Sequence, residues 1–171
     1  MAALRSTGLP IRSFDVFTEG YTHRRGPGGY CRFPIGEITE ALSGGSTADL
    51  NRLATTFQPC KKLCLSLAHH VIKSSFHQPR HIVFPHSDET ARDHTRSLCD
   101  LLNLCPTLEE LHLVWEYDSV NEQTTGVLEE LYFFSRVAES CQFPRLEKCT
   151  LHNLRMTEAT LLTFFRQLNG W

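Results

Sequence analysis

The chain of 171 residues contains no apolar run near the roughly 18–20 residues that a membrane-spanning helix requires. The opening segment "MAALRSTGLPIRSF" also lacks the apolar stretch of a secretory leader, so no membrane partner is expected. Charge of one sign is scarce as well. Seventeen Lys and Arg stand against nineteen Asp and Glu, and the only basic pairs are Arg24-Arg25 and Lys61-Lys62. A nucleic-acid surface needs basic residues concentrated on one face, so none is expected here. Catalytic signatures are missing too. There is no G-x-S-x-G elbow, and "GPGGY" (Gly26 to Tyr30) has neither the Lys-Ser/Thr of a phosphate loop nor the spacing of a dinucleotide fingerprint. No catalytic residue, cofactor or metal is therefore assigned, and the chain is not expected to be an enzyme.

What is present is enough apolar sequence, 41%, to build one substantial core. Seven cysteines (31, 60, 64, 99, 105, 141 and 149) are an odd number. Without an export signal they read as reduced thiols packed as small hydrophobes, in a protein expected in the cytoplasm or nucleus.

The segment "IRSFDVF" suggests a first short strand. From there the Gly- and Pro-rich residues 18–45 read as a long loop. "STADLNRLATTF" predicts a helix capped by Ser46 or Thr47, with Leu50, Leu53, Ala54 and Phe57 on one face. In "CKKLCLSL" the alternation of Leu63, Leu65 and Leu67 predicts a half-buried strand. "AHHVIKSSFHQ" is ambiguous, and "RHIVF" reads as another short strand. A helix opens at Ser87 or Asp88, with Ala91, Leu98, Leu102 and Cys105 on one side. The strand "LEELHLVW" follows Pro106. A helix from about Thr125 to Ser140 carries the stripe Val127, Leu131, Phe134, Ala138 and Cys141. After Pro144 come a strand in "LEKCTL" and a last helix from a Thr157 cap.

The strands repeat a phrase. Apolar-x-x-apolar-x-apolar starts at Ile11, Cys60, Leu108 and Leu146, giving Ile11/Phe14/Val16, Cys60/Leu63/Leu65, Leu108/Leu111/Leu113 and Leu146/Cys149/Leu151. Chance alone would supply about ten such matches in a chain of this composition, so context decides. The copies in "CPTLEELHLVW" and "FPRLEKCTLHN" share Pro, Leu, Glu and Leu, and each stands between helices. A single strand-helix unit cannot bury its apolar side, whereas stacked units can, with the strands on the concave side of a curved array. The fold class expected is α/β, an irregular leucine-rich-repeat-like solenoid of short parallel strands each followed by a helix. In it, Asp15, Cys64, His112 and Thr150 point outward from the concave sheet.

"CPTLEELHLVWEYDS" and "FPRLEKCTLHNLRMTEATLLTFFRQL" resemble the irregular leucine-rich repeats of fungal F-box-type proteins. "LPIRSFDVF" and "CKKLCLSL" are similar to earlier strands of such an array. The resemblance implies a non-catalytic protein-protein interaction scaffold, the substrate-recognition part of a ubiquitin-ligase adaptor. A Skp-family adaptor would be a partner only through an upstream F-box, which has no counterpart before Ile11. Residues 1–171 are accordingly read as a single domain and a piece of a longer array. The units are 49, 48 and 38 residues apart, longer than regular leucine-rich repeats.

Candidate partner-binding residues are His112 and Thr150 on the concave face, and Trp115 and Tyr117 just past a strand end, where aromatic side chains anchor interfaces. The alternative for Trp115 is that it closes the edge of the core. Cys60, Cys64, His69 and His70 come nearest to a zinc set. Two cysteines four apart on one strand, however, would share a face about 13 Å apart, too far to chelate one ion. His81, His86, Asp88, Glu89, Asp93 and His94 form a polar cluster that reads as a solvated helix start, with acids favoured by the helix dipole. The rival to the scaffold is a small α/β enzyme on a doubly wound sheet, its ligand site at the strand carboxyl ends near Trp115–Asp118 and His152–Arg155. Its strand order would reverse once. That of a stacked array would follow the chain.

Overall fold

The computed structural model describes residues 9–16, 33–68, 71–73, 81–83, 88–115 and 128–168. The protein is α/β. Its strands are β1 (Ser13–Val16), β2 (Phe33–Pro34), β3 (Lys62–Ala68), β4 (Val71–Lys73), β5 (His81–Val83), β6 (Glu110–Trp115) and β7 (Lys148–His152). Its helices are α1 (Ile35–Ser43), α2 (Thr47–Phe57), α3 (Asp88–Asn103), α4 (Leu128–Ser140) and α5 (Glu158–Arg166). No helix among the described residues is long and apolar enough to cross a membrane.

Four strands form a parallel sheet in the order β1-β3-β6-β7, which follows the chain and never reverses. Leu67 of β3 pairs with both β2 and β6, so β2 lies on the same side of β3 as β1 and extends that edge. β4 and β5 form a separate antiparallel pair. Helices α1, α3, α4 and α5 touch one another in that succession, repeating the strand order in a helical layer.

The four copies of the apolar phrase stand in one register. Phe14, Leu63, Leu111 and Cys149 are partners across the sheet, as are Val16, Leu65, Leu113 and Leu151. The central members Leu63, Leu65, Leu111 and Leu113 are at most 1% exposed and join one core with Leu98, Leu102, Phe134 and Phe164. The entry to each strand is also repeated. The carbonyl of Arg12 accepts from the N–H groups of Lys61 and Lys62 at 2.8 and 3.2 Å. That of Lys61 accepts from Glu109 and Glu110, both at 2.8 Å, and that of Glu109 from Glu147 and Lys148 at 2.8 and 3.0 Å. A turn ahead of each strand recurs as well, with Cys60, Leu108 and Leu146 donating to the carbonyls of Phe57, Cys105 and Phe143. Proline stands inside every one of these turns, at 59, 106 and 144, beyond the end of the preceding helix, where it needs no N–H partner.

Local signals hold at the helix ends. Ser46 caps α2 in a reciprocal capping box with Asp49, and the Thr157 hydroxyl accepts from the Thr160 N–H at the start of α5.

Four expectations need correction. The segment 18–45 is not loop throughout, because β2 and α1 occupy its last part. Ile35, Ile38 and Ala41 of α1 are buried at helical spacing, a stripe overlooked beside the glycines. β3 is covered on both faces, since Cys64 and Ser66 are 4% and 1% exposed, as in parallel sheets generally. In α2 the buried face runs through Leu53, Thr56 and Phe57, while Leu50 is 37% exposed. Finally, the start of α3 is not wholly solvated. Glu89 and Asp93 are exposed, but His94 is half-buried, its Cε1 only 3.1 Å from where a side chain on Gly36 of α1 would begin.

Candidate functional site

Alternation along a strand sends every second residue to the face opposite the core. On β1, β3, β6 and β7 that face carries three rows in register. The first is Ser13, Lys62, Glu110 and Lys148, and the second is Asp15, Cys64, His112 and Thr150. The third is Ser66, Val114 and His152. The face is not uniformly open. Asp15, Lys62, Lys148 and His152 are exposed, and Glu110, His112 and Thr150 are half-buried. Ser66 and Val114 near the carboxyl ends are 1% and 7% exposed. Access is therefore greatest at the strand amino ends and along β7.

Charge is organised across these strands. The Glu110 carboxylate lies 3.6 Å from the Lys62 ammonium and 3.8 Å from that of Lys148, bridging β3, β6 and β7. One residue earlier, Lys61 meets Glu109 at 2.5 Å. All five side chains are at least one-third exposed, so these pairs set orientation more than stability. The sequence held a sign of this ladder that went unread: the third position of the repeated phrase alternates Lys62, Glu110, Lys148, which favours cross-strand pairing.

His112 and His152 bring their rings to 6.4 Å between centroids, inclined at 51°. Burial lowers the His112 pKa below the ordinary histidine value, and the neighbouring His152 lowers it further, opposed by Asp15. Its imidazole is thus neutral at physiological pH, able to donate from one nitrogen and accept at the other. Cys64, beside it in the same row, has its thiol pushed up by burial and then by the Asp15 carboxylate. That keeps it protonated and a weak nucleophile. The face offers hydrogen-bond donors and acceptors with both signs of charge.

The sequence-predicted residues separate here. His112 and Thr150 are paired neighbours on β6 and β7. Trp115 is not a surface anchor. It continues the inward alternation of Leu111 and Leu113, is 2% exposed, and packs its ring 4.5 Å from that of Phe133. Of the two readings offered for it, closure of the core edge fits this placement. Tyr117 lies outside the described residues, as do His69 and His70 of the zinc set. The cysteines of that set do not share a strand face: Cys60 sits ahead of β3 in the core, while Cys64 faces away from it. Among the described residues no group of three or more His, Cys, Asp or Glu side chains is placed to hold a metal ion.

In comparisons with protein families, curated proteins and solved structures, nothing matches this chain.

Proposed function

We propose that the chain is a leucine-rich-repeat-like solenoid serving as a non-catalytic protein-interaction scaffold, and that it takes its partner on the sheet face bearing Asp15, His112, Thr150 and His152. The observation that carries this reading is the shared register. Four copies of one short phrase stand side by side in chain order, and the three junctions between them are made through the same two-fold hydrogen-bonded carbonyl. Stacked repeats produce this pattern because each unit contacts only its neighbours. The helices succeed one another in the same order, which supports it further. A doubly wound sheet would need the strand order to reverse, so the enzyme alternative has no switch point to use among these strands.

The chemistry of the face supports a protein or peptide partner. It presents a pair of neighbouring imidazoles, a threonine hydroxyl and a mixed charge ladder, rather than the one-signed field that polyanions require. Within this proposal the family resemblance supplies the role of substrate recognition in an F-box-type ubiquitin-ligase adaptor acting inside the cell. An F-box in the same protein would make the Skp-family contact. The test is quantitative capture of partner proteins by the intact chain and by the variants His112→Glu and Thr150→Glu. Both variants should fold, since the side chains are half-buried on a polar face, and both should lose capture about tenfold or more. Undiminished capture by two well-folded variants would sink the assignment of this face.

A further inference from the structure

Six cysteines fall among the described residues, and four of them form two pairs. The thiols of Cys60 and Cys105 lie within hydrogen-bonding reach of each other, as do those of Cys99 and Cys141. All four are buried, between 0% and 4% exposed. Their settings differ in one respect. Cys99 lines a cleft of about 290 Å³ between α3 and α4, rimmed by Arg92, Arg96, Arg136, Asp100 and Glu139. Cys60 and Cys105 instead point their thiols to backbone carbonyls, those of Lys62 at 3.3 Å and Leu101 at 3.6 Å, away from that cleft.

We propose that Cys99 is an oxidant-reactive thiol opening on the arginine-rimmed cleft, that Cys141 is its resolving partner, and that hydroperoxides are the reactants. Cys99 projects from α3, and Cys141 directly follows α4, with its sulfur 3.8 Å from the Cys99 carbonyl oxygen. The Asn103 amide donates to the Ser140 carbonyl at 3.1 Å and ties the two helix ends beside them. The cleft is roomy enough for a molecule as small as hydrogen peroxide, and the otherwise covered Cys99 is part of its lining.

The division of roles follows from the surroundings. The Cys99 pKa is held below the ordinary thiol value, chiefly by the hydrogen bond with Cys141, with burial and the Asp100 carboxylate opposing and Arg136 assisting. Cys141 is pushed up by the same contact and by burial. The thiolate therefore forms more readily on Cys99, the member of the pair that lines the cleft. It attacks one peroxide oxygen, the O–O bond breaks, and the departing hydroxide takes up the thiol's proton as water. Cys99 becomes a sulfenic acid. The negative charge that raised Cys141 is then gone. Its sulfur attacks that of Cys99, the S–O bond breaks, and a second water leaves with the Cys141 proton. In sum, two thiols lose two electrons and two protons, hydrogen peroxide becomes two waters, and a disulfide joins α3 to the end of α4. A dithiol reverses the reaction by exchange.

The Cys60–Cys105 pair is an internal control, likewise hydrogen-bonded and buried but not part of the cleft lining. The folded, reduced full chain is exposed to hydrogen peroxide, remaining thiols are alkylated, and linked peptides are mapped by mass spectrometry over time. The Cys99–Cys141 linkage should accumulate at least about ten times faster than Cys60–Cys105 and vanish on dithiothreitol treatment. Cys141→Ala should instead leave a Cys99 sulfenic acid that dimedone traps. Equal rates for the two pairs would overturn the proposal, as would a Cys99 that stays alkylatable while the exposed Cys149 oxidises. The wild-type time course decides even if the variant does not fold.

Discussion

Leu113 and Leu151 occupy the same position of the repeated phrase and are paired across β6 and β7, yet the fold treats them differently. Leu113 is 0% exposed, with Leu65 on one side and Leu151 on the other. Leu151 is half-buried, and among the described strands it has a partner on one side only. Truncating each to alanine removes the same three carbon atoms, so any difference in cost measures the stacking of units and not side-chain chemistry. At Leu113 all three carbons leave a closed core flanked by rigid neighbours, which places the loss toward the middle of the usual range, about 3–4 kcal/mol. At Leu151 part of the side chain is already in water and the space left can refill with solvent, which limits the loss to about 1–1.5 kcal/mol. With a urea slope near 2 kcal/mol/M, the midpoint should fall by about 1.5–2 M for Leu113→Ala and by roughly 0.5–0.7 M for Leu151→Ala. The assay is equilibrium urea unfolding followed by circular dichroism, with slopes compared to confirm that the unfolding surface is unchanged. Equal costs, or a greater cost at Leu151, would refute the layered account of the core.

Three further predictions concern the helices. Ser46→Ala removes the hydroxyl that caps α2 and with it both side-chain bonds to Asp49, so stability should drop by about 1 kcal/mol, read from thermal or urea unfolding; no loss would mean that α2 is held by packing alone. The contact of Gly36 with His94 couples a steric and a titration effect. Gly36→Ala should fail to deliver the roughly 1 kcal/mol that alanine normally adds to a helix, because its Cβ would meet the imidazole at 3.1–3.2 Å, whereas in a His94→Ala background the gain should appear. A full gain in the otherwise wild-type chain would contradict this. Burial also holds the His94 pKa below its ordinary 6.5, against the opposing pull of Asp93 and Glu40. The unfolded chain therefore binds the proton first, and stability falls as pH drops below about 6.5 toward the lower folded value. Replacing His94 with Gln should flatten urea midpoints measured between pH 7 and 5; parallel profiles would remove His94 from the account.

Much of the fold can be read along the chain because its signals are local. The alternation in "CKKLCLSL" and "LEELHLVW" marks β3 and β6, Thr157 marks the start of α5, and the phrase shared by Leu108 and Leu146 marks two strands that do lie together. His112 and Thr150 were placed on one face by the same period of two, and the sheet pairs them. Misreadings arose where one local signal masked another. Glycines around α1 hid the stripe of Ile35, Ile38 and Ala41, while of the two readings open for Trp115 the structure takes the inward one.

By itself, then, the sequence determined most of the strand and helix segments, the apolar side of several of them, and that four strands carry one repeated phrase. Periodicity and capping are properties of neighbours along the chain, and they survive without knowledge of what packs where. Only the tertiary structure decided that both faces of β3 are covered, that His94 is pressed against Gly36, and that Cys99 meets Cys141 beside a cleft while Cys60 and Cys64 part to opposite sides. Such meetings join residues tens of positions apart, brought together by the stacking of whole units. No local pattern encodes them, because the free energy that fixes them belongs to burial summed over the entire core.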